Sequence, residues 1–473
     1  MTYRNSNLNK IGKRFPEYLD NHSKRETLQE TEKMFRSLKV FTRQKKKVTR
    51  FLYRAVLTKP KTDYTFSPPV VVDEKGNVRP YWKGMLDHSM QQLDNLETVS
   101  VQQFGAVGDG EMDCTRAFKA AIGNGNRRVM IPKGVYQIRE IELPSYTELT
   151  GAGKDKTILK LSDSAPKKER IVTNKHHLVG NHHIRIKNMT LDWNVERFNK
   201  KERTAAGGTT SSGITLAHVK FAVIQNVAII NPGLHGVDVT SVRYNYFGDG
   251  KRSVLGSQYV WVDEVEAAGF GDDGITTHHS DDLLITNSYL HHPSGRAHKT
   301  GFSNSNGIEV DDGSQHVVLA NNRTECCFGG IEIKAHQTSS AASDTQVIGH
   351  DSFHDNRAYN FRHIGHHHGK DKETQSAYGI RASYLAAYHP QKTELYKTSS
   401  PRAIVISAYQ KVVINHFFAE MNENDSNQQI AIAIQYRAGN VQLRNVVLKR
   451  YKKNKSIYVA ENTNQVTIQN KKT

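Results

Sequence analysis

The stretch from Gly269 to Lys334 holds GFGDDGI (Gly269–Ile275), SNGIEVDD (Ser305–Asp312) and GGIEIK (Gly329–Lys334). A glycine followed by isoleucine recurs in all three, and carboxylates stand beside it each time. A unit of this size cannot bury its apolar residues alone, so it must stack on copies of itself. Strand side chains alternate between faces. The isoleucines Ile275, Ile308 and Ile331 then point inward, and the residues two and four places after each glycine share the opposite face.

Aligned on glycine, the second position reads Asp238, Thr276, Glu309, Glu332, and the fourth reads Thr240, His278, Asp311, Lys334. The position before the glycine reads His235, Asp273, Asn306, Gly329. Neighbours in a stacked row lie about 4.8 Å apart. Glu309 is therefore expected over Glu332, and Asp311 over Lys334, with Asp272 and Asp273 entering from the preceding coil and His278 in reach. Like charges at that spacing raise at least one carboxyl pKa, which suits a general acid. Lys334 would hold another carboxylate ionised or bind an anionic substrate.

The same texture extends in both directions. A unit of the form apolar-x-apolar-x-Asn appears as IRIKN (Ile184–Asn188), LLITN (Leu283–Asn287), VVLAN (Val317–Asn321), VQLRN (Val441–Asn445) and VTIQN (Val466–Asn470). Looser copies are AVIQN (Ala222–Asn226) and VIGHD (Val347–Asp351). Several spacings fall near 25 to 38 residues, the range of solenoid coils. Near the end the order is plain: AIVIS then VVIN, IAIQY then VQLRN, IYVA then VTIQN. No helical pattern separates these strands, which excludes a doubly wound α/β sheet, and two or three strands per coil are too few for a propeller blade. The reading is an all-β parallel β-helix, with the recurrent Asn residues forming a side-chain amide ladder at stacked turns.

Upstream the pattern changes. Apolar residues from Lys24 to Leu57 fall at helical spacing, Lys59–Pro60 ends that helix, Ser67-Pro68-Pro69 marks a linker, and a short helix follows over Leu86–Leu96. The chain carries a net charge of +18, and the residues up to Thr62 hold 17 Lys and Arg against five Asp and Glu. The basic character thus belongs mostly to an N-terminal segment suited to an anionic polymer, a nucleic acid or an acidic protein socket. Three cysteines (Cys114, Cys326, Cys327) cannot build a disulfide framework, which points to folding in a reducing cytoplasm. No run of about 18 apolar residues marks a membrane span, and MTYRNSNLNKIGKRF lacks the apolar core of a secretion signal.

The segments VQQFGAVGDGEMDCTRAFKAAI (Val101–Ile122), VMIPKGVYQI (Val129–Ile138) and LTGAGKDKTILKL (Leu149–Leu161) resemble the N-terminal cap of the pectate-lyase-like, right-handed parallel β-helix superfamily. Cys114 stands where the cap usually has an Asp. The apolar face of a short helix, Phe118, Ala121 and Ile122, would close the open end of the solenoid, which otherwise meets water. The resemblance runs from Val99 to the C-terminus. The expected organisation is a basic helical segment over residues 1–62, a linker with a short helix over 63–98, and a β-helix over 99–473, of which 99–161 form the cap.

Gly271-Asp272-Asp273 resembles the GDD motif of the polygalacturonase branch, and Glu332-Ile333-Lys334 its R-I-K strand, with Glu332 in the place of arginine. No Asn-Thr-Asp precedes the GDD and no Gly-His-Gly follows it, although His291, His292 and His298 lie in the expected interval. The resemblance implies a glycoside-hydrolase-like site in which Asp272, Asp273, Glu309 and Glu332 are the catalytic candidates and Asp238, His278, His298, Asp311 and Lys334 the substrate-binding ones. It needs no cofactor. A Ca²⁺-dependent lyase, a phosphodiester hydrolase using a metal-activated water, a structural Ca²⁺ site and a non-catalytic polymer binder stay open.

The run His363–His368 reads as an exposed turn, Asp281 and Asp282 as a solvated turn, and Trp193, Tyr359, Phe361 and Tyr378 as aromatics available to stack on sugars or to fill the core. With its basic N-terminal segment, the whole chain resembles bacteriophage tail-spike and tail-appendage proteins. That implies a homotrimer on the virion, attached to a tail or baseplate protein through its N-terminal segment. Its target would be a bacterial surface polymer, a polysaccharide or wall teichoic acid. It would be made in the host cytoplasm and act outside it, with no membrane or nucleic-acid partner.

Overall fold

Parallel strands cannot be joined by a tight hairpin, so each needs a crossover. In this chain the crossover from one strand to its parallel neighbour is itself a strand of another sheet. The computed structural model describes residues 11–38, 58–60, 66–243, 246, 248–423 and 430–473. Among them, two long sheets of 18 and 11 strands run the length of a β-helix, and two small antiparallel pairs lie beside it. The all-β solenoid expected from the repeats is what forms. In the 11-stranded sheet every strand pairs in parallel with the corresponding strand of the next coil, in chain order from Ile141–Leu143 to Ile457–Val459.

The core is a set of aliphatic rows. Ile275, Ile308, Ile331, Tyr359, Ile404 and Ile432 stand directly over one another and are fully buried. At the N-terminal end the helix Thr115–Ile122 buries Phe118, Ala121 and Ile122. Phe118 meets Tyr136 edge-on at 5.7 Å, closing the apolar cross-section. The candidate aromatics Trp193, Tyr359, Phe361 and Tyr378 are all buried, so none offers a face to a sugar.

Long strands of the larger sheet bend where one residue enters the left-handed region. Asn188, Asn226, Asn287, Asn321, Asn445 and Asn470 do this with φ of 50 to 60°, a conformation that Asn tolerates better than most residues. Their amides join coils as expected: Asn226 donates to Asn188 at 2.8 Å, Asn321 to Asn287 at 2.6 Å and Asn470 to Asn445 at 3.0 Å. Between Asn321 and Asn445 the bend is made instead by Gly349, Tyr384 and His416.

Those three coils are where the N-terminal segment lies. Tyr18 and Phe15 meet Tyr384 at 5.2 and 5.5 Å between ring centres, and Phe15 meets His416 at 6.4 Å. The helix Asn21–Ser37, capped by Asp20, is held by Thr31 to Ser383 at 2.8 Å and by Glu32 to Arg381 at 2.8 Å. A second core forms on the outer face of the sheet, where Ile11, Trp82 and Leu86 belong to the same cluster as Val318, Ile348 and Phe418.

The described helix ends at Ser37, whereas the spacing predicted one to Leu57; residues 39–57 lie outside the described ones. Thr58–Pro60 is a strand that pairs antiparallel with Lys251–Ser253. The linker helix spans Lys83–Met90 and passes into a 3-10 turn over Gln91–Asn95, starting a little before the predicted Leu86. Asp281 and Asp282 are not a solvated turn: Asp282 is buried and Asp281 partly so. They open the strand Asp281–Thr286, where Asp281 pairs with the buried Arg252, and Asp282 accepts from Tyr81 and Gln258 at 2.9 Å each.

A Cβ at Gly349 would lie 2.6 Å from the Tyr18 ring, and its φ of 68° penalises any side chain. Gly349→Ala should therefore cost at least about 1–2 kcal/mol and loosen the N-terminal segment. Limited proteolysis with mass mapping checks this: cleavage within residues 11–38 should accelerate in the variant, and an unchanged digestion pattern would contradict the packing.

A carboxylate and histidine cluster on the shorter sheet

Coil stacking fixes this site. Asp238 stands opposite Thr276, Thr276 opposite Glu309, and Glu309 opposite Glu332. Their outward row is buried all the same, because the segments between coils fold over it; Asp238, Thr276 and Glu332 are fully buried and Glu309 is 2% exposed. The turn Gly271–Gly274 enters from the coil edge, where Asp272 N–H donates to Leu234 O at 2.9 Å and Gly236 N–H to Asp273 O at 3.0 Å.

Asn306 donates through Nδ2 to Asp273 Oδ1 at 3.0 Å and to Glu309 Oε1 at 2.8 Å, which places the two acids one amide apart. Lys334 Nζ lies 2.9 Å from Glu309 Oε1 and 3.4 Å from Asp311 Oδ2. His278 spans Asp311 at 3.6 Å and Asp238 at 3.3 Å. His235 lies 3.6 Å from both Asp238 and Asp273 and 3.7 Å from Asp272, whose other oxygen is 2.8 Å from His298.

Eight of the nine candidate site residues therefore converge. Glu332 stands in the row but is taken up by Arg362, with Asn360 Nδ2 donating to it at 3.2 Å. Asp311 and Lys334 meet as an ion pair, as their stacking implied. His235, Asn306 and Arg362 complete the cluster without being singled out as site residues. His235 and Asn306 sit in the row preceding the glycines. Arg362 was hidden because its coil carries Ala358 in place of the glycine used for alignment.

Acids outnumber cations here, and the proton distribution reflects it. Burial, together with the charges of Asp272 and Glu309, pushes Asp273 well above the usual carboxylate range. Burial, aided by Asp311 and Glu332, raises Glu309 to about 8 against the pull of Lys334. Burial also opposes ionisation of Asp272 and Asp311. The imidazoles of His235 and His298 beside it outweigh it at Asp272, and Lys334 and His278 outweigh it at Asp311, so both stay ionised. Burial opposes the charged form of His235 too, but Asp238 and Asp272 hold it protonated. The arrangement thus sets proton-holding and ionised carboxyls side by side, the division of labour that acid–base catalysis needs.

Two groups within the cluster bring three metal-ligating side chains together: His235 with Asp272 and Asp273, and His278 with Glu309 and Asp311. Outside it, Asp249, His363 and His366 form another, as do His292, Glu325 and Cys326. The run His363–His368 is only partly an exposed turn, since His363 and His366 are buried. Beside His298 a cleft opens, lined by Lys200, Lys201, Arg203, Arg296 and Lys299 with Glu202 and Glu394, so the cluster borders a cleft of net positive charge.

Glu309 has a folded-state pKa above its ordinary 4.5. Below that value folded and unfolded chains both hold the proton. Between there and about 8 only the folded chain does, so this group's contribution to stability is lost as pH rises. Glu309→Gln keeps the shape and hydrogen bonds of the protonated acid. Thermal denaturation should find variant and parent alike near pH 4 and the variant more stable near pH 8; a variant less stable at the higher pH would contradict a protonated Glu309.

The family described as rhamnogalacturonase A/epimerase, pectate lyase-like, matches residues 98–332. The pre-neck appendage protein of Bacillus phage phi29 is 39% identical over 399 residues, covering 81% of this chain and 46% of that protein. The crystal structure of the pre-mature phi29 gene product 12 aligns with a TM-score of 0.74 at 38% identity, over 82% of this chain and 51% of that one. The family 28 exopolygalacturonase of Yersinia enterocolitica aligns with a TM-score of 0.55 over 79% of this chain and 78% of that one, and at 13% identity it shares the fold alone. The chain spans about half the length of the curated relatives it matches. Cap, coil stacking and these similarities agree: the chain has the right-handed parallel β-helix fold, matches the pectate lyase-like family model over residues 98–332, and is similar in sequence and fold to the pre-neck appendage proteins of Bacillus phages.

Proposed function

We propose that this chain is a depolymerase of a bacterial surface polymer, a polysaccharide or wall teichoic acid, carried on a phage virion appendage. The observation that carries this reading is the convergence of two proton-holding acids, Asp273 and Glu309, bridged by Asn306, with the ionised Asp272 beside them. Glu309 and Asp273 hold protons while Asp272, 2.8 Å from the cleft-lining His298, is ionised. In hydrolysis Glu309 gives its proton to the bridging oxygen of the polymer as that bond breaks. Asp272 takes a proton from the water whose oxygen forms the new bond. Lys334, 2.9 Å from Glu309, offsets the negative charge left on Glu309. The cleft cations Lys200, Arg203, Arg296 and Lys299 favour a polymer bearing negative charge.

In the same reading the chain works as a homotrimer whose basic N-terminal segment docks on a tail or baseplate protein. The similarity to pre-neck appendage proteins supports the virion setting.

Asp272→Asn, which removes the base of the proposed step, tests the site. It keeps the size of the side chain, so circular dichroism and melting should be near those of the parent, while cleavage of purified wall polymer should fall by about 10²–10⁴. Full retained activity would overturn the assignment. Mass spectrometry of the products identifies the bond. New reducing ends mark a glycosidic bond and phosphomonoesters a phosphodiester. Unsaturated sugars lost on chelation mark a Ca²⁺-dependent lyase, and tight polymer binding with no product marks a binder; either of the last two contradicts the hydrolase.

A further inference from the structure

We propose that His235, Asp272 and Asp273 bind a divalent transition cation of the zinc or manganese kind; its place in the reaction rests on the depolymerase reading above, but its binding does not. Three atoms converge. His235 Nε2 lies 3.7 Å from Asp272 Oδ2 and 3.6 Å from Asp273 Oδ2. Good hydrogen bonds of this type run about 2.7–3.2 Å, so these separations are too long for them. Donors each about 2.0–2.2 Å from one ion stand roughly 3.0–3.6 Å apart along the edge of an octahedron or tetrahedron. The observed spacing is close to that edge.

The far side of each donor is held by a different neighbour. His235 Nδ1 faces Asp238 Oδ2 at 3.6 Å, both atoms buried and without a hydrogen bond. A carboxylate on this side is placed to accept from the imidazole and orient it toward a metal once the two close to hydrogen-bond distance. Asp273 Oδ1 accepts from Asn306 N and Nδ2 at 3.0 Å each, and Asp272 Oδ1 lies 2.8 Å from His298 Nε2. Asp273 and His235 are almost wholly buried. Among the described residues no lysine or arginine forms an ion pair with Asp272 or Asp273, so no ammonium or guanidinium occupies the place of the ion.

The competing groups fit less well. In the neighbouring set, Lys334 already sits 2.9 Å from Glu309 and 3.4 Å from Asp311. At Asp249–His363–His366 both nitrogens of His363 are engaged, by Thr374 at 2.8 Å and by Ser339 O at 3.1 Å. His292 in the fourth group is exposed. One imidazole with two carboxylates favours zinc or manganese over calcium, which takes oxygen donors. In the ion-bound site Asp272 and His235 serve as ligands in place of their roles as base and cation above, and Glu309, bonded to the other side of Asn306, is left as the proton donor.

Isothermal titration of the full chain, stripped with chelator, against Zn²⁺ and Mn²⁺ with Ca²⁺ as comparison tests the inference. One equivalent per chain is expected for a transition ion and none for Ca²⁺ at the same concentrations. Affinity should fall at least about a hundredfold in His235→Gln and in Asp273→Asn, and about ten- to a hundredfold in Asp238→Asn. Two ligand variants are used so that one failing to fold leaves the other to decide. His292→Gln and His366→Gln should bind as the parent does. Absence of saturable binding, equal binding of Ca²⁺, or binding lost in His366→Gln or His292→Gln but kept in His235→Gln would overturn it. No ion binding in a chain that cleaves polymer overturns this inference and leaves the depolymerase. Ion binding in a chain that cleaves nothing supports the site and overturns the depolymerase.

Discussion

Coil-to-coil hydrogen bonding at a separation of about 4.8 Å is the constraint on which the rest depends. Each strand spends its backbone donors and acceptors on the strands before and after it, so lateral neighbours are set by register and not by side-chain preference. Glu309 stands over Glu332, and Asp238 over Thr276, because Ile308 stands over Ile331 and Val237 over Ile275 in the core. Aliphatic packing thus does electrostatic work. It holds acids at a distance they would not choose, and segments folded over the coils remove the water that would otherwise screen them.

That constraint also explains what was legible in the sequence. Alternation and the Asn bends repeat with the coil, so the fold, the inward isoleucines and the order of the acid row could be read from spacing alone. The cap helix was readable because Phe118, Ala121 and Ile122 fall on one helical face. What could not be read depends on contacts between coils and loops. Glu332 has the same local sequence logic as Glu309, yet Arg362 one coil later neutralises it. Asp282 looks like a turn residue, but the packed linker brings Tyr81 onto it. His363 and His366 belong to a histidine run that suggests exposure, and distant loops bury them.

The N-terminal segment shows the same dependence from the other side. The larger sheet exposes an apolar band at Val318, Ile348 and Phe418, and the segment covers it. Where it crosses, the Asn ladder gives way to Gly349, Tyr384 and His416, which trade interstrand amide bonds for ring packing. Tyr384 and His416 pack there against Phe15, and Gly349 leaves room for the Tyr18 ring.

The central claim is that stacking leaves the cluster with fewer charges than acids, so that a carboxyl keeps its proton at neutral pH beside ionised neighbours. Infrared difference spectroscopy between the parent and Glu309→Gln reads this directly. The account predicts a protonated-carboxyl carbonyl band in the parent at neutral pH that loses intensity in the variant. A parent spectrum with no such band, its difference from the variant confined to ionised carboxylate modes, would contradict it.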